Sequence, residues 1–358
     1  MRIRRLSEGT INRIAAGEVI ERPASVVKEL VENAIDAGSR NIEVMFRGGG
    51  KTLIKVADDG IGMDSDDLLL SIERHATSKL AGDDLIDIRS LGFRGEALPS
   101  IGAVARLSIT SRPRGGELAH ALNIEGGKAS TLRPAALTHG TEMEVRDLFF
   151  ATPARLKFLK SATAEAGQIH TLLTHMALAY PACRFSLIND GRATFTHNGG
   201  TLLDSLASVY GVEAARQMIE IEPEALAETL DDGQEDGGAE TAPAPVAERP
   251  VAVYGYISPP AVSRANRAHM TFIINGRLVQ DRSLNVAVSE AYHTLLMVGR
   301  FPISVLHITL APEEVDVNVH PAKAEIRFRD GRAVFSLVQQ AVRSALLRHA
   351  PVPQFGGS

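Results

Sequence analysis

The first long segment of the chain has apolar and polar residues at helical spacing. It begins with Pro23, which is favoured in a first helical turn, and ends with Gly38, which favours helix termination. At about 100° per residue, the segment has one apolar and one polar face. The apolar face contains Val27, Leu30, Val31 and Ala34, and the polar face contains Glu29, Glu32, Asn33 and Asp36. The pattern predicts a helix over residues 23–38 that is anchored in a core and presents polar side chains on its other side.

Short runs of β-branched and alternating apolar residues predict a sheet in the same half of the chain. The predicted strands cover residues 41–46, 52–57, 104–111, 119–124, 141–147, 184–189 and 192–197. Further helices are predicted over residues 63–76, 164–179 and 201–210. Apolar residues are too sparse in residues 1–16 for a domain of their own, so we interpret this stretch as an arm.

The remainder of the chain predicts a second, smaller domain. Strands are expected near residues 218–221, 251–258, 270–274 and 305–309, and helices over residues 282–296 and 332–347. Residues 222–250 are rich in Ala, Glu, Asp, Gly and Pro, which predicts a disordered acidic insertion. Residues 351–358 are typical of a linker, and no internal repeat is present.

Composition is that of a soluble globular protein, with 44% hydrophobic residues. No apolar run is long enough for a membrane span, and the basic residues 1–5 lack the apolar core of a secretory signal, so we expect a cytoplasmic protein. One cysteine, Cys183, excludes an intrachain disulfide. The net charge is −5, but residues 220–250 hold ten acids against one arginine, which leaves the rest of the chain mildly basic. That distribution permits DNA binding without requiring it.

A second candidate site element follows the strand at residues 52–57. Asp58 stands at the end of this apolar run, and Gly60 and Gly62 behind it allow a ligand to approach the backbone closely. A rigid carboxylate at a strand end suits the exocyclic amine of an adenine ring. Taken separately, the polar helix face is equally consistent with a solvated surface, and D-D-G with a simple turn.

The sequence G-G-G-K-T at residues 48–52 invites comparison with a phosphate-binding P-loop. That motif requires a glycine five residues before Gly50, where this chain has Met45. We therefore interpret the stretch as a hairpin turn.

The order of several motifs along the chain resembles the GHKL ATPases, the superfamily of gyrase, Hsp90, histidine kinases and MutL. These motifs are E-L-V-E-N-A-I-D-A at residues 29–37, D-D-G-I-G-M at 58–63, L-G-F-R-G-E-A-L at 91–98 and G-T at 140–141. Three signatures resemble the MutL family of mismatch-repair proteins in particular: G-F-R-G-E-A-L, A-A-G-E-V-I-E-R-P at residues 15–23 and V-D-V-N-V-H-P-A-K at 315–323. The resemblance extends from about residue 6 to residue 332.

This resemblance implies an α+β fold, in which a GHKL (Bergerat) α/β sandwich is followed by a smaller α/β domain similar to ribosomal protein S5 domain 2. The implied divisions are an N-terminal dimerisation arm at residues 1–16, the ATPase domain at 17–200 and the second, transducer domain at 201–350. In relatives the arm reaches across to a second subunit once nucleotide is bound, and the alternative is an arm packed on its own domain.

The resemblance also implies roles for individual residues in an ATP site. Glu29 is expected to polarise the attacking water, Asn33 to bind Mg²⁺, and Asp58 to bind adenine. Lys323 is expected to reach the γ-phosphate from the second domain, which would couple hydrolysis to the angle between the domains. Further expected ATP contacts are Gly60, Gly62, Met63, Thr77, Ser78, Lys79, Gly92, Phe93, Arg94, Gly95, Glu96, Ala97, Leu98 and Thr141. Backbone N–H groups at residues 92–98 precede a helix and could therefore surround phosphate oxygens.

The implied function is an ATP-dependent switch in DNA mismatch repair. ATP and Mg²⁺ would be the cofactors, and the chain would close into a homodimer when ATP binds. Its partners would be a MutS-type mismatch sensor, a downstream nuclease or helicase, and DNA. DNA contacts would go to phosphates, through Arg155, Lys157, Arg277, Arg282 and Arg332, and would therefore be salt-dependent and insensitive to sequence. These cations are also consistent with solvated surface residues.

Two alternative functions remain open. A topoisomerase or an Hsp90-like chaperone would use the same pocket, although G-F-R-G-E-A-L argues against both. A binding module with a vestigial ATP site is the other alternative. The chain departs from the family pattern at Pro99, at Glu142 and at Phe150-Ala151. These departures affect details of the sheet and of the lid, the segment at residues 91–98 with the motif L-G-F-R-G-E-A-L. The nuclease motif D-Q-H-A-x-x-E-R of some family members does not occur in this sequence.

Overall fold

A computed structural model describes residues 7–74, 76–79, 90–92, 95–223, 251–316 and 326–349. The chain divides into two compact units, residues 1–211 and residues 212–358. Both units combine helices with a mixed sheet, as the sequence predicts. None of the described helices has the length and apolar character needed to cross a membrane.

The first unit contains helices on a broad sheet. Its helices are α1 (Glu8–Val19), α2 (Pro23–Asp36), α3 (Ser65–Leu70), α4 (Ala97–Val104), α5 (Pro153–Phe158), α6 (Ala162–Ala179) and α7 (Leu202–Tyr210). Its strands are β1 (Asn41–Arg47), β2 (Leu53–Asp58), β3 (Arg106–Arg112), β4 (Ala119–Glu125), β5 (Lys128–Ala129), β6 (Arg133–Ala135), β7 (Gly140–Arg146), β8 (Arg184–Asn189) and β9 (Arg192–Asn198). The sheet order is β5-β4-β3-β7-β2-β1-β8-β9, with β6 also paired to β4.

Helix α2 lies against the centre of this sheet and carries the polar residues of interest. It packs on β2 and on α6. The four residues of its predicted apolar face, Val27, Leu30, Val31 and Ala34, are at most 2% exposed. Strand β2 pairs antiparallel with both β1 and β7, and its last residue, Asp58, lies opposite Thr141. The predicted apolar face of α2 is therefore confirmed, whereas Glu32 of the predicted polar face is also buried, at 7% exposed. This packing fixes the C-terminal end of the polar face beside the end of β2.

The second unit has one five-stranded sheet with two packed helices. Its strands are β10 (Ile219–Ile221), β11 (Ala252–Ile257), β12 (Ser263–Arg264), β13 (Met270–Ile274), β14 (Arg277–Val279), β15 (Phe301–Pro302), β16 (Ser304–Thr309), β17 (Val315–Asp316) and β18 (Arg327–Phe328). Its helices are α8 (Val212–Arg216), α9 (Arg282–Ala291) and α10 (Gly331–Arg348). The main sheet runs in the order β10-β11-β16-β13-β14, and α9 packs on α10 over a common apolar core.

Two helices are shorter than the sequence predicts. Helix α3 ends at Leu70 instead of continuing to residue 76, and the Ser71 hydroxyl donates to Leu68 O at 2.8 Å where the helix ends. Helix α9 ends at Ala291 instead of residue 296. There Tyr292 is buried with its hydroxyl bonded to Ser258 O, and Thr294 has φ +73°, which helical geometry does not allow.

Helix α7 packs with the first unit, whereas the family resemblance implies a second domain that begins at residue 201. The buried Ser205 hydroxyl donates to Ala177 O at 2.8 Å, and α7 also contacts β9. These contacts explain why the compact unit extends to Gly211 and not to residue 200.

Helix α1 occupies most of the stretch that we interpret as an arm. It packs on α4, a helix that the sequence analysis placed only as the continuation of the lid motif. Ile11 and Ile14 are 45% and 54% exposed, whereas Ala16 and Ile20 are fully buried. The described part of the arm therefore contacts its own domain. Residues 1–6 lie outside the described residues, and contacts of the arm in a dimer stay a prediction.

Candidate nucleotide-binding site

The C-terminal end of α2 contacts the residues on both sides of residues 80–89. The Lys79 ammonium lies 2.8 Å from Asn33 Oδ1 and 2.5 Å from Asp36 Oδ2. Asp36 also accepts hydrogen bonds from two consecutive backbone amides, Leu91 N at 2.9 Å and Gly92 N at 3.0 Å. A Cβ on Gly92 would lie only 3.0 Å from Lys79 Nζ and 3.5 Å from Asn33 Oδ1. The polar face of α2 and the predicted phosphate-binding segments are therefore in direct contact.

Asp58 is held at the end of β2 by one group from the turn that follows α2 and one from the turn that follows β2. Its Oδ1 accepts from the Ser39 hydroxyl at 3.0 Å and from Gly60 N at 2.8 Å. Burial raises the pKa of the Asp58 carboxyl, although these hydrogen bonds partly oppose that shift. The carboxylate is thus a rigid acceptor in a largely desolvated position.

The glycines after Asp58 lie where a side chain would not fit. A Cβ on Gly60 would be 2.7 Å from Ser39 Oγ and 2.9 Å from Ala37 O. Gly62 has φ +71°, and a Cβ there would be 2.0 Å from Arg112 O. Close backbone approach at these positions explains the glycines of the D-D-G-I-G-M motif.

Thr141 is connected to the site through its backbone and through a buried serine. It pairs with Asp58 between β7 and β2, and its hydroxyl lies 2.9 Å from the Ser111 hydroxyl. Ser111 also accepts from Met63 N at 2.8 Å and is fully buried. The Thr141 hydroxyl, which is expected to contact ATP, therefore lies against Ser111 in this structure. Ser111 was missed, although it stands at an inward position of β3, in phase with the buried Leu107 and Ile109.

The two parts of the candidate site meet on a single short stretch of chain. Asn33 and Asp36 contact Lys79 and Gly92, while Ser39, three residues after Asp36, contacts Asp58. Ile61 N also donates to Ala37 O at 3.0 Å, which ties the glycine turn to the end of the helix. The predicted adenine contacts and the predicted phosphate contacts therefore lie on the same end of α2.

Glu29 lies one turn before Asn33 on α2. Its Oε1 is 4.0 Å from Lys28 Nζ, which makes a closer ion pair of 2.8 Å with Glu32. The Glu29 side chain is 13% exposed. It is therefore a partly buried carboxylate that retains access to water.

The segment just before α4 lies close to Ala76. Gly95 has φ +61°, and a Cβ there would lie 2.4 Å from Ala76 O. Glu96 precedes α4, and Ala97 and Leu98 form its first turn, with Leu98 8% exposed. Thr77 and Ser78 are exposed. The predicted contacts Phe93, Arg94 and Lys323 lie outside the described residues.

The amide and carboxylate oxygens at the end of α2 are compatible with Mg²⁺. Among the described residues, no group of three His, Cys, Asp or Glu side chains is arranged to hold a metal. A nucleotide-bound Mg²⁺ needs no such cluster, since it keeps waters and phosphate oxygens as most of its ligands. Asn33 Oδ1 already contacts a cation, the Lys79 ammonium, so the position accepts positive charge.

The five predicted DNA-contacting cations differ in exposure. Lys157, Arg282 and Arg332 are exposed. Arg277 is only 7% exposed, which is unexpected for a surface cation that contacts phosphates. The Arg155 guanidinium packs over Gly17 and lies 3.4 Å from Ile20 O, so it contacts the C-terminal part of α1 and the residue that follows it.

Two family models match the chain, one in each half. Residues 20–144 match the model described as "Histidine kinase-, DNA gyrase B-, and HSP90-like ATPase". Residues 206–347 match the model described as "DNA mismatch repair protein, C-terminal domain". The first match includes Glu29, Asn33 and Asp58.

Curated relatives match nearly the whole chain. The DNA mismatch repair protein MutL of Rhizobium johnstonii is 50% identical over 350 residues, which is 97% of this chain and 54% of that protein. MutL of Agrobacterium fabrum is 48% identical over 350 residues, with the same shares of 97% and 54%. The chain thus spans about half the length of the curated relatives it matches.

Solved structures show the same fold. The N-terminal domain of a DNA repair protein has a TM-score of 0.78 and 26% identity, covering 94% of this chain and 98% of that one. The Aquifex aeolicus MutL ATPase domain complexed with ADP has a TM-score of 0.63 and 24% identity, covering 93% and 100%. The GHKL fold that the motif order implies is therefore confirmed. Sequence, fold and relatives agree that the chain belongs to the MutL family of DNA mismatch repair proteins, with an ATPase domain of the histidine kinase, gyrase B and HSP90 class.

Proposed function

We propose that this chain binds ATP with Mg²⁺, hydrolyses it slowly, and thereby acts as the nucleotide-controlled switch of a mismatch-repair protein. The observation that carries the proposal is the double contact of the α2 terminus. Asn33 and Asp36 meet Lys79 and Gly92, and the following Ser39 meets Asp58. At 1.5 Å per helical residue, the stretch from Asn33 to Ala37 is only about 6 Å long, so one nucleotide is long enough to reach both ends.

At the adenine end, Asp58 supplies the carboxylate acceptor and the glycines supply space. The Ser39 and Gly60 donors fix the orientation of the Asp58 carboxylate before ligand arrives. An acceptor that is already oriented loses little entropy on binding. The oriented Asp58 carboxylate and the space beside the glycines support recognition of an amino group on a flat ring that lies over Gly60 and Gly62.

At the phosphate end, Asn33, Lys79 and the backbone around Gly92 are the groups available to the triphosphate. Bound Mg²⁺ would neutralise phosphate charge, and Asn33 Oδ1 is the side-chain oxygen suited to hold it. Glu29, one turn earlier on the same face, is placed to orient a water molecule as general base. Lys323, which the V-D-V-N-V-H-P-A-K motif assigns to the γ-phosphate, completes the proposed set.

Replacing Glu29 tests the catalytic part of the proposal. Glu29→Ala should bind ATP with wild-type affinity, because Asn33 and Asp58 remain, while turnover falls by at least about a hundredfold, the usual range for a general base. Binding is measured by calorimetry and turnover by phosphate release. Glu43→Ala is the matched control, since Glu43 is an exposed carboxylate on β1. Undiminished turnover in Glu29→Ala would contradict the assigned role.

The activities of the whole protein follow as further proposals. ATP binding would order the lid and the N-terminal arm so that two chains close, and the closed form would engage DNA phosphates, a MutS-type sensor and a downstream nuclease or helicase. Sedimentation with and without a non-hydrolysable ATP analogue tests dimerisation. A sedimentation coefficient that is unchanged by the analogue, under conditions where calorimetry shows it bound, would contradict nucleotide-controlled closure.

A further inference from the structure

Lys79 makes an ion pair that the proposed ATPase mechanism does not explain. Its ammonium is bound by two oxygens of α2, Asn33 Oδ1 at 2.8 Å and Asp36 Oδ2 at 2.5 Å. The side chains of Lys79 and Asp36 are 20% and 9% exposed, so this contact is largely shielded from solvent. Shielding strengthens the attraction compared with a surface ion pair.

The same two oxygens suit a divalent cation. Amide and carboxylate oxygens are the ligands of hard cations such as Mg²⁺. An ammonium and a Mg²⁺ cannot both lie against Asn33 Oδ1, because their positive charges would repel at contact distance. Whichever cation occupies the position excludes the other.

Asp36 is the residue that fixes this arrangement. Its carboxylate also accepts from Leu91 N and Gly92 N, at 2.9 and 3.0 Å. The carboxylate is therefore held by the backbone on one side and holds Lys79 on the other. Three donors converge on one side chain, which is typical of a built position and not of a chance surface contact.

We propose that, in the nucleotide-free chain, the Lys79 ammonium occupies the cation position between Asn33 and Asp36 that Mg²⁺ takes when nucleotide binds, with Asp36 as the positioning residue that holds it there. The inference rests on the proposed function, because it assigns Mg²⁺ to Asn33. Binding of the metal–nucleotide complex exchanges one cation for another. The displaced ammonium, with three N–H donors, is then free to bind a phosphate oxygen.

The experiment uses Mn²⁺ as a paramagnetic probe of the nucleotide-free protein. Lys79→Met keeps most of the unbranched side chain and removes its charge. The oxygens of Asn33 and Asp36 are then available to a metal. Titrated Mn²⁺ should then selectively broaden the Leu91 methyl resonances of Lys79→Met and leave those of the wild type sharp. Methyl groups of Leu284, in the second unit, serve as the internal reference.

Two further variants separate the proposal from general electrostatics. Lys55→Met is the matched control, because Lys55 is another ion-paired lysine of the first unit, with its Nζ 2.9 Å from Glu142 Oε1. This variant should leave the Leu91 methyl resonances sharp. Adding Asn33→Ala to Lys79→Met should abolish the broadening. Retained exchange protection of the Leu91 and Gly92 amides in Lys79→Met would show that Asp36 still holds the backbone.

The possible outcomes distinguish the inference from the function on which it rests. Sharp Leu91 resonances in Lys79→Met, or broadening that persists after Asn33→Ala, would overturn the inference even when calorimetry shows wild-type ATP binding. A wild type that fails to bind ATP at all would overturn both. Selective broadening in Lys79→Met that depends on Asn33 supports the proposed exchange of cations.

Discussion

Asp58 and Asp59 are adjacent aspartates whose replacement by asparagine should have opposite effects. In Asp58→Asn, the amide oxygen retains the Ser39 and Gly60 donors, while an N–H group faces the adenine amine in place of an acceptor. A hydrogen bond to a charged acceptor contributes about 1.5–3 kcal/mol. We therefore expect ATP affinity to fall by roughly ten- to a hundredfold, a change that calorimetry measures directly.

The stability of Asp58→Asn should move in the other direction. Burial raises the pKa of Asp58 above its usual value of 3.8. A raised pKa means that this carboxyl favours the folded state below pH 3.8 and loses that contribution as the pH rises through the folded-state pKa. At pH 7 the buried charge therefore opposes folding, and the neutral amide should leave the melting temperature unchanged or higher.

Asp59→Asn is the matched control. Burial opposes ionisation of Asp59, but donors from Asn41 and Arg40 prevail and lower its pKa. Its Oδ1 accepts from Arg40 N at 2.7 Å and its Oδ2 from Asn41 Nδ2 at 2.5 Å. The lowered pKa stabilises the fold above pH 3.8, and this contribution is lost as the pH falls through the folded-state pKa. The Asp59→Asn variant should therefore lose about 1 kcal/mol of unfolding free energy, which corresponds to roughly 2–4 °C in melting temperature for a unit of this size. Its ATP affinity should be retained.

Thermal unfolding and calorimetry of both variants, Asp58→Asn and Asp59→Asn, together test these assignments. Wild-type ATP affinity in Asp58→Asn would show that this carboxylate does not bind the base. A melting temperature for Asp58→Asn below that of Asp59→Asn would show that the assigned effects of burial and hydrogen bonding are wrong.

Three other substitutions test the surroundings of the site. Gly140→Ala should destabilise the first unit by about 1–3 kcal/mol or more, because Gly140 has φ +87° and a Cβ would lie 2.0 Å from Asp58 O. An unchanged melting temperature in thermal unfolding would contradict this. Ser111→Ala should cost about 1–3 kcal/mol by removing the acceptor of Met63 N, and a neutral result would show that another acceptor takes over. Arg282→Ala should weaken DNA binding equally for different sequences and reduce the slope of log affinity against log salt by about one, as measured by fluorescence anisotropy. An unchanged slope would show that Arg282 does not contact DNA phosphates.

The parts of the fold that could be predicted are those where a local pattern and the tertiary environment agree. In α2 the apolar spacing of Val27, Leu30, Val31 and Ala34 coincides with burial against the sheet. Strands β1 and β2 were likewise predicted within a residue or two. In such segments the periodicity of the side chains is itself the cause of the packing.

The elements that were predicted least completely are those that packing stabilises against local preference. Helix α4 contains Pro99 and Gly102, both poor helix formers, and forms against α1. Helix α1 buries Ala16 and leaves Ile11 and Ile14 exposed, so its hydrophobic pattern gives no clear face. The early end of α9 depends on the buried Tyr292 and its long-range bond to Ser258, which no local pattern indicates.

The candidate site shows the same division. The motif order indicated Asn33, Asp58 and the glycines, and the structure brings these residues to one end of α2. The sequence did not indicate that Asp36 would bind Lys79 and the backbone at Leu91 and Gly92, because these partners are 43 to 56 residues away. Contacts of that range depend on the completed fold and not on spacing along the chain.

The central claim is that a single nucleotide is bound between the polar face of α2 and the end of β2. A crystal structure of this chain with a non-hydrolysable ATP analogue and Mg²⁺ tests it most directly. We expect the adenine amine within hydrogen-bonding distance of the Asp58 carboxylate and the metal on Asn33 Oδ1. A purine remote from Asp58, or Glu29 and Asp58 lining separate cavities, would contradict it.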